Sequence, residues 1–218
     1  MNEPQRLVAP VAPRASDNAS GRQFTARLRA RVAAWRKRRL LRLALRVAEE
    51  PILMLEVSQA PGLFWPVLTE HNNRVIVATS PAAESLLEAH RLLPQGVTRR
   101  IRVMPGPLDY AELRPASVDC ILLAEIPPSP CNANTLRLLG QLHHVTRDSA
   151  ILFARVGSQR PAPQAGDACH CGDSHAVAAE ASHARALEQE FLRIGFSQIR
   201  HYNFTPGSDG VRVYILRK

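Results

Sequence analysis

No run of about 18 uninterrupted apolar residues occurs in the 218-residue chain, so nothing supports a membrane-spanning helix. Cysteine is scarce. Cys120, Cys131, Cys169 and Cys171 are irregularly spaced and imply no disulfide framework, and a reducing compartment is expected. Aromatic residues make up 5% of the chain, too few for a nucleic-acid surface built on base stacking, and Trp35 and Trp65 are expected to pack in a core instead. The P-loop, G-x-S-x-G and catalytic Cys/His signatures are all missing. The opening residues, Met1-Asn-Glu-Pro-Gln5, lack the basic-then-apolar order of a secretory signal. A soluble, cytoplasmic protein is the expectation. The abundance of Arg, Ala, Leu and Pro fits a GC-rich bacterial coding sequence.

Acidic residues are nearly absent from the first part of the chain. Residues 1–48 hold 12 of the 28 Lys+Arg and 2 of the 19 Asp+Glu, a net of +10. Residues 49–218 therefore hold 16 basic and 17 acidic groups, a net of −1. The overall +9 belongs to an N-terminal arm, and the basic isoelectric point alone does not point to a nucleic-acid-binding fold.

What is present is one core's worth of apolar residues, 45% of the chain, in an alternating order of elements. Residues 1–21, rich in Pro, Ala, Ser and Asn, read as a disordered tail. Residues 22–48 read as a basic helix, with Phe24, Leu28, Val32 and Trp35 at helical spacing among the arginines. Its apolar stripe could pack on the body. Alternatively Arg27, Arg31, Arg36, Lys37, Arg38 and Arg39 could meet an anionic surface, lipid headgroups or nucleic acid, with a peripheral place at the inner membrane surface. Residues 49–218 read as one domain.

Within that domain, the run Ile52 to Val57 predicts a buried strand; the turn Ser58-Gln-Ala-Pro-Gly62 and Leu63, Phe64, Val67 and Leu68 predict a following helix. Further strands are expected at 74–78, 101–104, 117–125 and 149–156. Helices are expected from Ser80-Pro81 to about Leu93, from Thr135 to His144 and from Ala181 to Ile194. Residues 157–178 read as a flexible loop or lid, and 196–204 and 211–216 as an antiparallel hairpin. The fold class is α/β: Rossmann-like, doubly wound, a mostly parallel sheet of about seven strands ending in a hairpin, preceded by an Arg-rich helix.

These local sequences resemble the class I S-adenosylmethionine-dependent methyltransferases over roughly residues 45–218. Leu53-Met-Leu-Glu-Val-Ser-Gln-Ala-Pro-Gly-Leu-Phe-Trp-Pro66 resembles the family's first motif. Val75-Ile-Val-Ala-Thr-Ser-Pro81 resembles the second-strand motif, Ser117-Val-Asp-Cys-Ile-Leu-Leu123 the fourth-strand signature, and Leu136 to Ala154 the helix-to-strand passage. Gly195-Phe196 resembles the pair before the terminal hairpin. The resemblance implies a cofactor, S-adenosylmethionine, held beyond the carboxyl ends of the strands by Glu56, Ser58, Ala60, Gly62, Ala78, Thr79, Asp109 and Glu125.

The departures fall at those positions. Ser58 and Ala60 stand where the family has its first two glycines, and only Gly62 remains. Ala78 stands where an acid would take the ribose hydroxyls, and Pro107 where an acid would follow the third strand. Thr79, Asp109 and Glu125 are the candidate substitutes. A lost carboxylate-to-hydroxyl contact costs on the order of 2–3 kcal/mol. Three readings follow: a pseudoenzyme that acts through an unknown protein partner; an active methyltransferase on a small-molecule or lipid-linked acceptor with a non-consensus site; and a membrane-surface or nucleic-acid adaptor working through the basic helix.

Other candidates are weaker. Cys169, His170, Cys171 and His175, with Asp167 and Asp173 nearby, could hold zinc, but structural sites usually space their paired cysteines by about two to four residues; a polar loop with no metal is expected. Ile126-Pro-Pro-Ser129 resembles the tetrad of amino-directed nucleic-acid methyltransferases but lacks its polar first and aromatic last residues. His143 and His144 sit at a helix C-terminus, where they complement the dipole.

Overall fold

A computed structural model describes residues 17–105, 113–126, 133–155, 173–203 and 211–218, side chains of 17–23 and 173–183 excepted. In chain order the elements are α1 (Asp17–Val47), β1 (Leu53–Val57), α2 (Trp65–Leu68), β2 (Val75–Ser80), α3 (Ala83–Arg91), α4 (Gln95–Thr98), β3 (Ile101–Pro105), β4 (Val118–Leu123), α5 (Ala133–Val145), β5 (Thr146–Arg155), α6 (Asp173–Ile194), β6 (Gln198–Asn203) and β7 (Val211–Arg217). The sheet order is β3-β2-β1-β4-β5-β7-β6. The first five strands are parallel; β7 runs antiparallel between β5 and β6. This is the expected doubly wound sheet with its terminal hairpin. The chain turns outward in opposite directions from the β1–β4 pair, which makes that boundary the topological switch point.

Side-chain alternation sorts the strands onto two faces. Met54, Ile76, Cys120, Leu122, Ile151, Phe153, Val213 and Ile215 share one buried cluster with residues of α1 and α2. Leu55, Ile121, Leu123, Leu152, Tyr214 and Leu216 share the other with Leu139 and Leu142 of α5 and Leu187 and Phe191 of α6. Both faces are covered, which is why β4 reads as a nearly unbroken apolar run.

The chain forms two units, residues 1–36 and 37–218, and the division falls inside α1, twelve residues before the expected boundary at Ala48. Leu40, Leu41, Ala44, Leu45 and Ala48 are buried in the core of the larger unit. Arg38 there donates to the Leu63 carbonyl at 2.8 Å, and Arg42 forms a two-pronged pair with Glu70. In the smaller unit the helix begins at Asp17, so residues 17–21 are helical and not the tail expected from composition. Trp35, expected to pack, is 52% exposed.

Helix boundaries differ from expectation in three further places. β2 continues to Ser80, so Ser80-Pro81 does not open a helix; the buried Ser80 hydroxyl accepts the Ala82 N–H, and α3 starts at Ala83. The helix after β1 is a single turn, with Pro66 in its first turn where a missing N–H costs nothing. α6 starts at Asp173, eight residues before Ala181, so 173–178 are not loop, while 157–172 lie outside the described residues. The one-turn α4 has no periodic signal at all.

Two joints fix the ends of helices. After α1, Glu49 and Glu50 both sit in the left-handed region, at φ 62° and 51°, where a residue with a Cβ costs roughly 1–2 kcal/mol. Arg217 of β7 pairs with Glu49 and Arg74, just before β2, with Glu50. After α6, Gly195 turns the chain at φ 115°, and an added Cβ would lie 3.2 Å from the His143 ring. Gly195→Ala is therefore expected to destabilise by about 1–2 kcal/mol and to lower the thermal midpoint by roughly 2–8 °C, measurable by calorimetry.

Candidate functional site

The C-terminal edges of β1, β2 and β4 lie side by side: Glu56 is paired with Ala78 on one side and Leu122 on the other, and Val57 with Thr79 and Leu123. The turn after β1 is stitched to both neighbours. The Ser58 N–H donates to the Thr79 carbonyl at 3.1 Å, and the Ala124 N–H to the Val57 carbonyl at 2.9 Å. Glu56, Ser58, Ala60, Gly62, Ala78, Thr79 and Glu125 are thus all brought to this edge. Asp109 and Pro107 lie outside the described residues, as do Cys169, His170, Cys171 and the side chain of His175. Among the described residues no group of three or more His, Cys, Asp or Glu side chains is placed to hold a metal ion.

Each residue at the edge has a distinct environment. Glu56 points to the α1 side of the sheet and is 1% exposed. Its Oε2 accepts the Trp65 indole N–H at 2.5 Å, and its Oε1 has no partner among the described residues. Burial pushes the carboxyl up to about 7, with the indole donor pulling the other way. Trp65 is itself buried and meets the His90 ring edge-on, and His90 Nε2 lies 3.0 Å from the Ile101 carbonyl. The carboxyl is therefore one end of a chain of contacts running from β1 through α2 and α3 to β3, buried at Glu56 and Trp65 and half-buried at His90.

The Ser58 hydroxyl accepts the Ala60 N–H at 3.1 Å, closing its own turn. Of the turn residues 58–62, Gly62 alone keeps a left-handed backbone, φ 85°. Ala78 is buried in the core cluster, and Thr79 is buried beside it. Glu125, just past β4, turns out to an ion pair with Arg155 at 3.2 Å.

Two buried residues that brace the sheet are invisible to motif reading. Trp65 counts in the sequence only as an apolar helix residue. Arg74 reads as the polar first residue of a strand, yet it is 1% exposed and donates to the Pro51 and Leu68 carbonyls as well as to Glu50. A cleft of about 190 Å³ opens there, at the end of the sheet opposite the candidate edge, lined by Arg42, Arg46, Glu50, Glu70, His71 and Arg74 among others. Its Arg42 and Arg74 are already paired with Glu70 and Glu50.

Strand order, the terminal antiparallel hairpin and two covered faces make this a class I methyltransferase-like fold. Solved structures with that fold superpose on the chain. A Nostoc punctiforme protein assigned to the O-methyltransferases is 20% identical, with a TM-score of 0.56 over 81% of this chain and 55% of its own. The mitomycin 7-O-methyltransferase MmcR is 17% identical, with a TM-score of 0.54 over 93% and 59%. PigF, solved with S-adenosylhomocysteine, is 15% identical, with a TM-score of 0.53 over 78% and 51%. The chain spans between half and three-fifths of the length of these three proteins. No protein-family profile matches the sequence, and no curated protein does.

Proposed function

We propose that this chain is a methyltransferase-fold pseudoenzyme that no longer holds S-adenosylmethionine tightly and acts by binding. The paired residues Glu56 and Ala78 carry the reading. An adenosyl cofactor at the switch point asks for acceptors at these two strand ends: an acid for its charged amine and an acid for its ribose hydroxyls. Glu56 is buried, committed to Trp65 and drawn towards its neutral form, and Ala78 offers no acceptor. Thr79 is buried and Glu125 is paired with Arg155. Among the described residues the acceptor set does not fit the cofactor. The missing acid alone accounts for about a hundredfold in affinity.

Calorimetric titration of S-adenosylmethionine and S-adenosylhomocysteine into the folded protein tests this. No heat is expected up to about millimolar ligand. Binding in the tens of micromolar would overturn the reading.

A second reading, an active methyltransferase on a small-molecule or lipid-linked acceptor, has its own support. Gly62 keeps the left-handed turn, Glu56 keeps an acid with one oxygen unpartnered among the described residues, and PigF was solved with a cofactor product. On that reading Thr79→Ala or Asp109→Ala weakens cofactor binding at least about tenfold; unchanged affinity would count against these residues as substitutes.

A further inference from the structure

Residues 17–36, the N-terminal part of α1, form a unit of their own. Phe24, Leu28, Val32 and Trp35 recur at intervals of four, four and three, so at 3.6 residues per turn they share about a quarter of the helix circumference. All four are exposed, at 69%, 52%, 40% and 52%. The same periodicity sets Arg27 and Arg31 along one edge of the stripe and Arg29 and Arg36 along the other, with alanines 26, 30, 33 and 34 filling the back. No acidic residue occurs between Asp17 and Glu49.

We propose that this face docks on an anionic lipid bilayer, lying in the headgroup plane. The stripe and its borders together select the occupant. A phosphate backbone would satisfy the arginines but leave Leu28 and Val32 in water, since aliphatic side chains neither stack on bases nor pair with phosphates. A bilayer interface takes both: apolar side chains enter the acyl boundary, Trp35 sits at headgroup level, and the arginines extend to lipid phosphates. The near-neutral remainder of the chain, net −1 over 49–218, adds no repulsion of consequence. No helix among the described residues is long and apolar enough to cross the membrane, so the contact is a surface one. The inference is independent of whether the larger unit binds a cofactor.

The full chain is sedimented with vesicles of phosphatidylcholine alone and of phosphatidylcholine mixed with an equal part of phosphatidylglycerol, and tryptophan emission is recorded. Trp65 is 1% exposed and shielded from both water and lipid, so a shift on binding reports Trp35. The expected result is sedimentation with the anionic vesicles only, with emission moving to shorter wavelength. Arg27→Gln with Arg31→Gln should weaken association about fivefold per arginine. Phe24→Ser with Leu28→Ser should weaken it at least about tenfold and abolish the shift. Both pairs of residues are exposed, so thermal midpoints should stay at the parent value, separating loss of docking from loss of folding. The proposal is overturned by failure to sediment, by equal binding to neutral vesicles, or by anionic binding without an emission shift. Duplex DNA binding without vesicle binding would also overturn it, as would self-association through the stripe that leaves vesicles unbound.

Discussion

Replacing Arg74 with alanine is expected to destabilise the protein by about 3–5 kcal/mol, the size expected when one partner of a buried charged network is removed. The guanidinium is 1% exposed and bonds three groups at once: the Pro51 carbonyl, the Leu68 carbonyl and the Glu50 carboxylate. Its loss strands two carbonyls, each costing roughly 1–3 kcal/mol if left unmade, and opens a cavity where a long side chain was packed. It also removes the ion-pair partner of Glu50, whose backbone is left-handed. Urea unfolding of Arg74→Ala beside Arg42→Ala checks the argument. The Arg42–Glu70 pair has similar hydrogen bonds but is 43% and 49% exposed, so its removal should cost about 0–1 kcal/mol. Equal losses for the two variants would show that burial of Arg74 does not set its contribution.

Glu56→Gln should change how stability depends on pH. The ordinary carboxyl value is 4.5, and the folded protein raises Glu56 to about 7, so the folded state binds its proton more tightly than the unfolded state does. The contribution of Glu56 to stability is therefore greatest below about 4.5, falls as pH rises towards about 7, and is level above that. The whole loss is about 3 kcal/mol, from 1.36 kcal/mol per pH unit across the window. Glutamine keeps an oxygen for the Trp65 indole and cannot ionise, so the variant should gain about 3 kcal/mol on the parent between acid and pH 8. Unfolding midpoints of both proteins across that range supply the comparison, in which all other titrating groups cancel. Parallel curves would mean that Glu56 ionises in the folded protein at its ordinary value.

Both predictions concern residues whose roles the sequence conceals, and the reason is physical. Period-two alternation and short apolar runs register burial, so β1, β4 and the terminal hairpin are readable within a few residues, as is the order that defines the sheet. Motif spacing likewise places Glu56, Ser58, Gly62 and Ala78 at one edge. A buried hydrogen bond between residues nine apart has no periodic signature, so the Glu56–Trp65 contact is not readable, nor is Arg74 as a core residue. One helix also misleads because its pattern is continuous: apolar residues recur throughout α1, yet Leu41 and Ala44 are buried whereas Phe24 and Leu28 are exposed. Periodicity identifies a face and says nothing of what covers it. The Ser-Pro pair at the end of β2 fails differently, since a serine that bonds the N–H two residues on serves a strand end as well as a helix start.

The place of β7 in the sheet bears on how the chain is made. β5 has β4 on one side, but its other edge is completed only by residues 211–217, which also contribute Val213, Tyr214, Ile215 and Leu216 to the two cores. Synthesis must run 55 residues past the end of β5 before β7 begins and the inner edge can start to close. During that interval an apolar parallel strand presents unpaired N–H and C=O groups to any neighbouring chain. Chains that stop before residue 211 therefore keep that edge open.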